Sequence, residues 1–183
     1  MWNDLEDTNN ETGTILVVNG EFLIAQELIV QFTEDYTYSP RNAPSLLPPW
    51  PLGKLNNVIL DNKNKFAATA PNSTFPAGSN SFQVIQSGTY EFKMNIVIST
   101  TADTNPLVAL FNDTTGTWIV NTNDRHHVTG GTQSYTIITA VQLNENELYS
   151  FRANNSADFT VNWKSGGTSG EGPVSQVKIS RLK

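Results

Sequence analysis

The chain has 183 residues, only 15% of them charged, and its 11 basic and 17 acidic side chains give a formal net charge of −6. It holds 21 Asn, 21 Thr, 14 Ser and 12 Gly, a surplus of poor helix formers that excludes a helical bundle or a coiled coil. The acidic balance argues against nucleic acid or an anionic membrane as partner. No apolar run reaches the ~18 residues of a membrane span, and the absence of cysteine excludes disulfides and thiolate metal sites.

In chain order, the start MWNDLEDTNNE is acidic and carries neither the basic nor the apolar region of a secretion signal. Next comes TILVV-NG-EFLIA, two β-rich runs around the Asn19-Gly20 dipeptide that suits a type I′ hairpin turn. The second run continues through Leu28, Ile29, Val30 and Phe32, with apolar residues on both faces. A lone two-stranded hairpin is barely stable, and apolar faces on both sides call for a cover. Residues 1–39 therefore read as an N-terminal arm, with Ile15, Val17, Phe22, Ile24, Leu28 and Val30 as its docking residues. Five of the nine prolines then fall in SPRNAPSLLPPWPLG. Proline fixes φ and removes a donor, so 40–53 reads as a semi-rigid linker. Trp50 stands among these prolines, either as a lid over the chain's own surface or as an anchor for a partner.

From residue 54 to 183 strands and turns alternate without a convincing helix. The pattern predicts strands at 56–60, 65–69, 81–86, 89–99, 107–112, 117–121, 134–143, 147–154, 158–164 and 174–182. In TYEFKMNIVIS the residues Tyr90, Phe92, Met94 and Ile96 share one face by strict alternation. Strands 134–143 and 147–154 are expected to form a hairpin through Asn144-Glu145-Asn146. So many short strands at this spacing point to an all-β sandwich or jelly roll.

The stretch Phe82-Gln-Val, Ser87-Gly88-Thr-Tyr90-Glu-Phe92 and the strand after it resembles the GxYxF strand of tumour-necrosis-factor-like and complement-globular-head-like jelly rolls. Thr136 to Glu147 resembles the family's strand ending in VxLxxGD, with Asn146-Glu147 in place of Gly-Asp. Val174 to Leu182 resembles its last strand. The resemblance covers 75–183. It implies a jelly roll of about ten strands that assembles into a homotrimer. Tyr90, Phe92, Met94, Ile96, Ile137 and Val141 are the expected core and trimer strand residues. Ile137 and Ile138 point to opposite faces, so one strand is apolar on both sides, as at a subunit interface.

The arm, the spacer and a trimeric head together resemble a virion protein. On this reading a head-fibre, spike or decoration protein, made in the host cytoplasm, docks on a capsid or tail protein through residues 1–50. It stands on the virion surface and projects its head for host attachment. The alternatives are a carbohydrate-binding module or lectin, and an extracellular signalling ligand of the TNF or complement kind. Sugar recognition uses amides and an aromatic platform, so Trp118, Asn121 and Asn123 are candidate contacts for a cell-surface glycan, a protein receptor being the other possible surface partner. No catalytic residue, cofactor or metal site is expected. His126 and His127 are adjacent and would face opposite sides of a strand. The loop around Ser169 has Glu171 where a nucleophile elbow needs glycine. Oxygen clusters such as Asp103-Thr-Asn105 lack the spaced calcium loop.

Overall fold

A computed structural model describes residues 15–18, 21–39, 50–67, 80–125, 131–165 and 171–182. All regular structure there is β. The strands are β1 (Ile15–Val18), β2 (Glu21–Ile24), β3 (Glu27–Gln31), β4 (Tyr36–Tyr38), β5 (Trp50–Pro51), β6 (Asn57–Asp61), β7 (Phe66–Ala67) and β8 (Ser81–Gln83). They continue with β9 (Gly88–Thr100), β10 (Leu107–Asn112), β11 (Thr117–Asn123), β12 (Thr132–Leu143), β13 (Leu148–Asn154), β14 (Phe159–Asn162) and β15 (Gln176–Arg181). β1 and β2 pair as a hairpin of their own, Ile15 opposite Ile24 and Val18 opposite Glu21. The expected turn at 19–20 lies outside the described residues.

The remaining strands form two antiparallel sheets. The seven-stranded sheet is built on β9. Along one edge of β9 runs the whole of β12, Tyr90 opposite Val141 and Met94 opposite Ile137. Its other edge takes β15 over the first half and β14 over the second. β15 continues to β3 and then β6, and β14 continues to β4. β12, β6 and β4 are thus the edge strands of this layer. The second, six-stranded sheet runs β11-β10-β13-β8-β7, with β5 also on β13. Alternation in β9 turns Tyr90, Phe92, Met94, Ile96 and Ile98 inward, where all are buried. The two layers meet at Phe151 of β13. Its ring stacks on Phe82 at 5.4 Å and lies parallel to Phe92 of the facing sheet at 6.3 Å, and aromatic pairs at such separations hold a core in register.

Three expectations are corrected here. The arm does not extend to residue 39. Leu28 and Val30 are buried in the core, with β3 hydrogen-bonded to β15 on one side and β6 on the other; β4 pairs with β14. These two residues are therefore core and not docking contacts. The join is made by Gln26, a buried polar residue whose amide donates to the Gln83 carbonyl and accepts from the Ile85 N–H, each at 2.9 Å.

The linker also ends sooner than expected. Trp50 and Pro51 pair with Ala153 and Arg152, and Leu52 and Leu55 are buried in the core. A proline is tolerated there because β5 is a two-residue strand ending its line of pairing. So the backbone of Trp50 belongs to the head, although its expected anchoring role concerns a side chain outside the described set. Gly53 is required in this passage, since a Cβ on it would lie 2.5 Å from the Tyr36 ring.

Finally, 134–143 and 147–154 are not hairpin partners. β12 pairs with β9, and β13 pairs with β10, β8 and β5. The connection crosses from one sheet to the other because both strands bury their apolar faces in the shared core. Asn146 takes φ 67 there, and asparagine is among the few residues that adopt this region readily. This explains how Asn stands where the resembling family has Gly. Glu147 accepts hydrogen bonds from the Tyr149 hydroxyl at 2.6 Å and from the amides of Asn112 at 2.8 Å and Asn144 at 3.2 Å.

Candidate functional site

Three surfaces offer chemistry beyond folding. The first is the outward face of the seven-stranded sheet. With Phe92 and Met94 turned inward, Glu91, Lys93, Asn95 and Val97 face out. Glu27, Ile29 and Gln31 of β3 and Gln176 and Lys178 of β15 do the same. The polar groups satisfy one another. Gln31 donates to Gln176 at 2.7 Å, Thr136 donates to Asn95 at 2.7 Å, and Lys93 meets Glu91 at 3.0 Å. Against this settled background Ile138 of the edge strand β12 is 68% exposed, and Val58 and Ile59 are exposed on the opposite edge strand β6. A shallow depression of about 320 Å³ lies beside Ile138, between Lys93, Thr136 and Lys178.

The residues expected to combine core and trimer roles separate here. Tyr90, Phe92, Met94, Ile96, Ile137 and Val141 are all buried inside the single chain, which leaves them no surface for a second subunit. Their contact role is corrected to core. The outward partner of this pattern is Ile138, whose opposite orientation to Ile137 follows from strand alternation.

The second surface is the outward face of the six-stranded sheet. Trp118 pairs with Phe111 across β10 and β11, the rings edge to face at 5.1 Å. The Arg152 guanidinium sits 5.3 Å from the Phe111 ring centre and is held by an ion pair with Asp113. Trp118 keeps 36% of its surface exposed. A bulge at Ile119, which the register skips, keeps Trp118 on the same face as Asn121 and Asn123. Trp118 and Asn123 nevertheless stand at opposite ends of β11, roughly 16 Å apart at the rise of a strand. The structure brings the expected glycan residues onto one face but not around one pocket.

The third surface is a cleft of about 590 Å³ at one end of the sandwich. The loop before β10 supplies Asp103 and Asn105, the end of β11 supplies Asn123 and Arg125, and the loop after β13 supplies Asn155 and Ser156. The Arg125 guanidinium grips Asp103 with both arms, Nε to Oδ1 at 2.9 Å and Nη2 to Oδ2 at 2.6 Å. This pairing escapes a motif search because the partners are 22 residues apart. The hairpin itself carries the missing signal: with Leu107 opposite Asn123, residues just outside both must meet.

Of the groups considered for catalysis or metal, His126, His127 and Ser169 lie outside the described residues. Glu171 is ion-paired with Lys164. Asn112 caps the following turn by accepting from the Thr114 and Thr115 N–H groups. Among the described residues no three His, Cys, Asp or Glu side chains cluster as a metal site, and no helix is long and apolar enough to cross a membrane. Glu147 is held below the ordinary carboxylate range, chiefly by the Tyr149 hydroxyl; it serves the turn between the sheets.

No protein-family model matches the chain, and no curated protein matches its sequence. Solved structures do match its fold. A structure of Eiger TNF from S. frugiperda aligns with 87% of this chain and 93% of its own, at a TM-score of 0.50 and 11% identity. A crystal structure of murine APRIL aligns with 86% of this chain and 99% of its own, at a TM-score of 0.50 and 9% identity. At such identities the likeness is one of strand order and layering alone, and on that ground the chain has the TNF-like jelly-roll fold.

Proposed function

We propose that the chain is a non-catalytic binding head of the TNF or complement ligand type, working as a homotrimer. The observation that carries this reading is Ile138, an aliphatic side chain left bare on the edge strand of a TNF-like sheet whose outward polar groups pair with one another. Val58 and Ile59 lie bare on the opposite edge. A ring of three identical chains sets unlike patches of neighbouring subunits against each other, so both edges are covered at once. The outer sheet, where Trp118 is exposed, then remains uncovered for a receptor; exposed aromatics are among the residue types that anchor interfaces.

The test is a mass by light scattering. The full chain is expected at about three times 20.1 kDa, and Ile138→Asp at the mass of one chain with its far-ultraviolet spectrum unchanged. A single-chain mass for the unsubstituted protein removes the reading.

A narrower version concerns what carries the head. The β1–β2 hairpin pairs only with itself among the described strands, and its apolar sequence suits insertion into a carrier such as a capsid or tail protein, with the head on a virion surface. Ile15, Val17, Phe22 and Ile24 are its docking residues. The two named structural neighbours lend no support to the virion itself. Loss of particle attachment on deleting 1–24, with the head intact, is the expected result.

A further inference from the structure

We propose that the end cleft between residues 103–107, 123–125 and 154–156 is a binding site for a neutral saccharide. Its volume of about 590 Å³ lies within the range of small-ligand sites. Among the described residues its single carboxylate and single guanidinium, Asp103 and Arg125, neutralise each other through two hydrogen bonds. Nearby, the Asp124 carboxylate accepts from the Arg125 N–H at 2.8 Å and Asp158 accepts from the Ser39 hydroxyl at 2.7 Å. No carboxylate among the described lining residues is thus left to hold a cation. An anion is disfavoured by the net charge of −6 and finds the one cationic group among the described lining residues already paired.

What remains are amides and hydroxyls. Each asparagine both donates and accepts, which matches a sugar hydroxyl, itself donor and acceptor. Leu107 adds an apolar contact for the C–H face of a ring. A second observation points the same way. Asn155, in the cleft wall, is only 4% exposed; its amide nitrogen donates to the Ala157 carbonyl at 3.1 Å, while its enclosed Oδ1 has no hydrogen-bond partner. Buried polar atoms are normally satisfied, and a turn of the Asn155 side chain that brings Oδ1 to the cleft lets a ligand hydroxyl supply the missing donor. The whole cleft lies within one chain, so this site does not depend on the trimer.

The test uses the full chain on an array of neutral and sialylated oligosaccharides, followed by titration of the best neutral glycan. Asn105→Ala and Asn123→Ala, both exposed at the mouth, are expected to weaken binding by about tenfold each without moving the melting temperature. Trp118→Ala, on the sheet face, is expected to change it by less than about twofold. Retention of no neutral glycan, or retention of sialylated glycans alone, overturns the proposal. So does loss of binding in Trp118→Ala while both asparagine variants still bind. A monomeric mass in the light-scattering experiment would fail the trimer and leave this site untouched.

Discussion

Residues 15–24 and 27–38 look alike as sequence, both short β-rich runs with consecutive apolar residues that face both ways, yet they have different fates. Among the described strands the first pair only with each other. The second are strands of the head, β3 lying between β15 and β6 and β4 against β14. The break between them carries no glycine or proline. It is made by Gln26, whose buried amide is satisfied only where β3 joins the head. A two-faced apolar run states that two covers are needed; it does not state whether the same chain supplies them.

The bluntest way to break this comparison is truncation. Deleting 1–39 removes β3 and β4, and with them three lines of pairing in the seven-stranded sheet; the product is expected to show no cooperative thermal transition by circular dichroism. Deleting 1–24 is expected to leave that transition in place, and a collapse there would place the hairpin inside the folding unit.

Single substitutions sharpen it. Leu28→Ala empties a buried core position and is expected to cost about 2–5 kcal/mol in denaturant unfolding; a docking residue would cost almost nothing. Gly53→Ala tests whether the proline-rich passage is packed into the head, since the new Cβ meets the Tyr36 ring. A loss of about 1–3 kcal/mol is expected, and an unchanged stability would return this passage to the linker.

The smallest effect concerns the crossing between the sheets. Glu147 is held below its ordinary value of 4.5 by the Tyr149 hydroxyl first, then by the Asn112 and Asn144 amides. Its contribution is therefore complete above about pH 4.5 and is lost as pH falls through the lower folded value. Glu147→Gln should flatten the stability profile in that acid window only. A profile identical to the unsubstituted protein's would take Glu147 out of the turn's support.

Much of the head was legible because period two is a local property. Expected strands at 56–60, 107–112 and 147–154 appear at 57–61, 107–112 and 148–154, and the inward face of β9 follows from alternation alone. The boundary of the arm was not legible, since Leu28 and Val30 are buried by strands more than a hundred residues away at β15. Nor was the crossing after β12. A short polar connection suits a hairpin and a sheet change equally, and only the shared core decides. The candidate surfaces were half legible. Ile138 could be placed on the outward face, whereas the end cleft needs three loops brought together by the jelly-roll order itself.

The central claim is that a TNF-like head beginning near residue 25 trimerises by its own sheet, without the hairpin. Light scattering on a 25–183 fragment tests it most directly. A folded species of three times the fragment mass is the predicted result; a folded species of one fragment mass would contradict it.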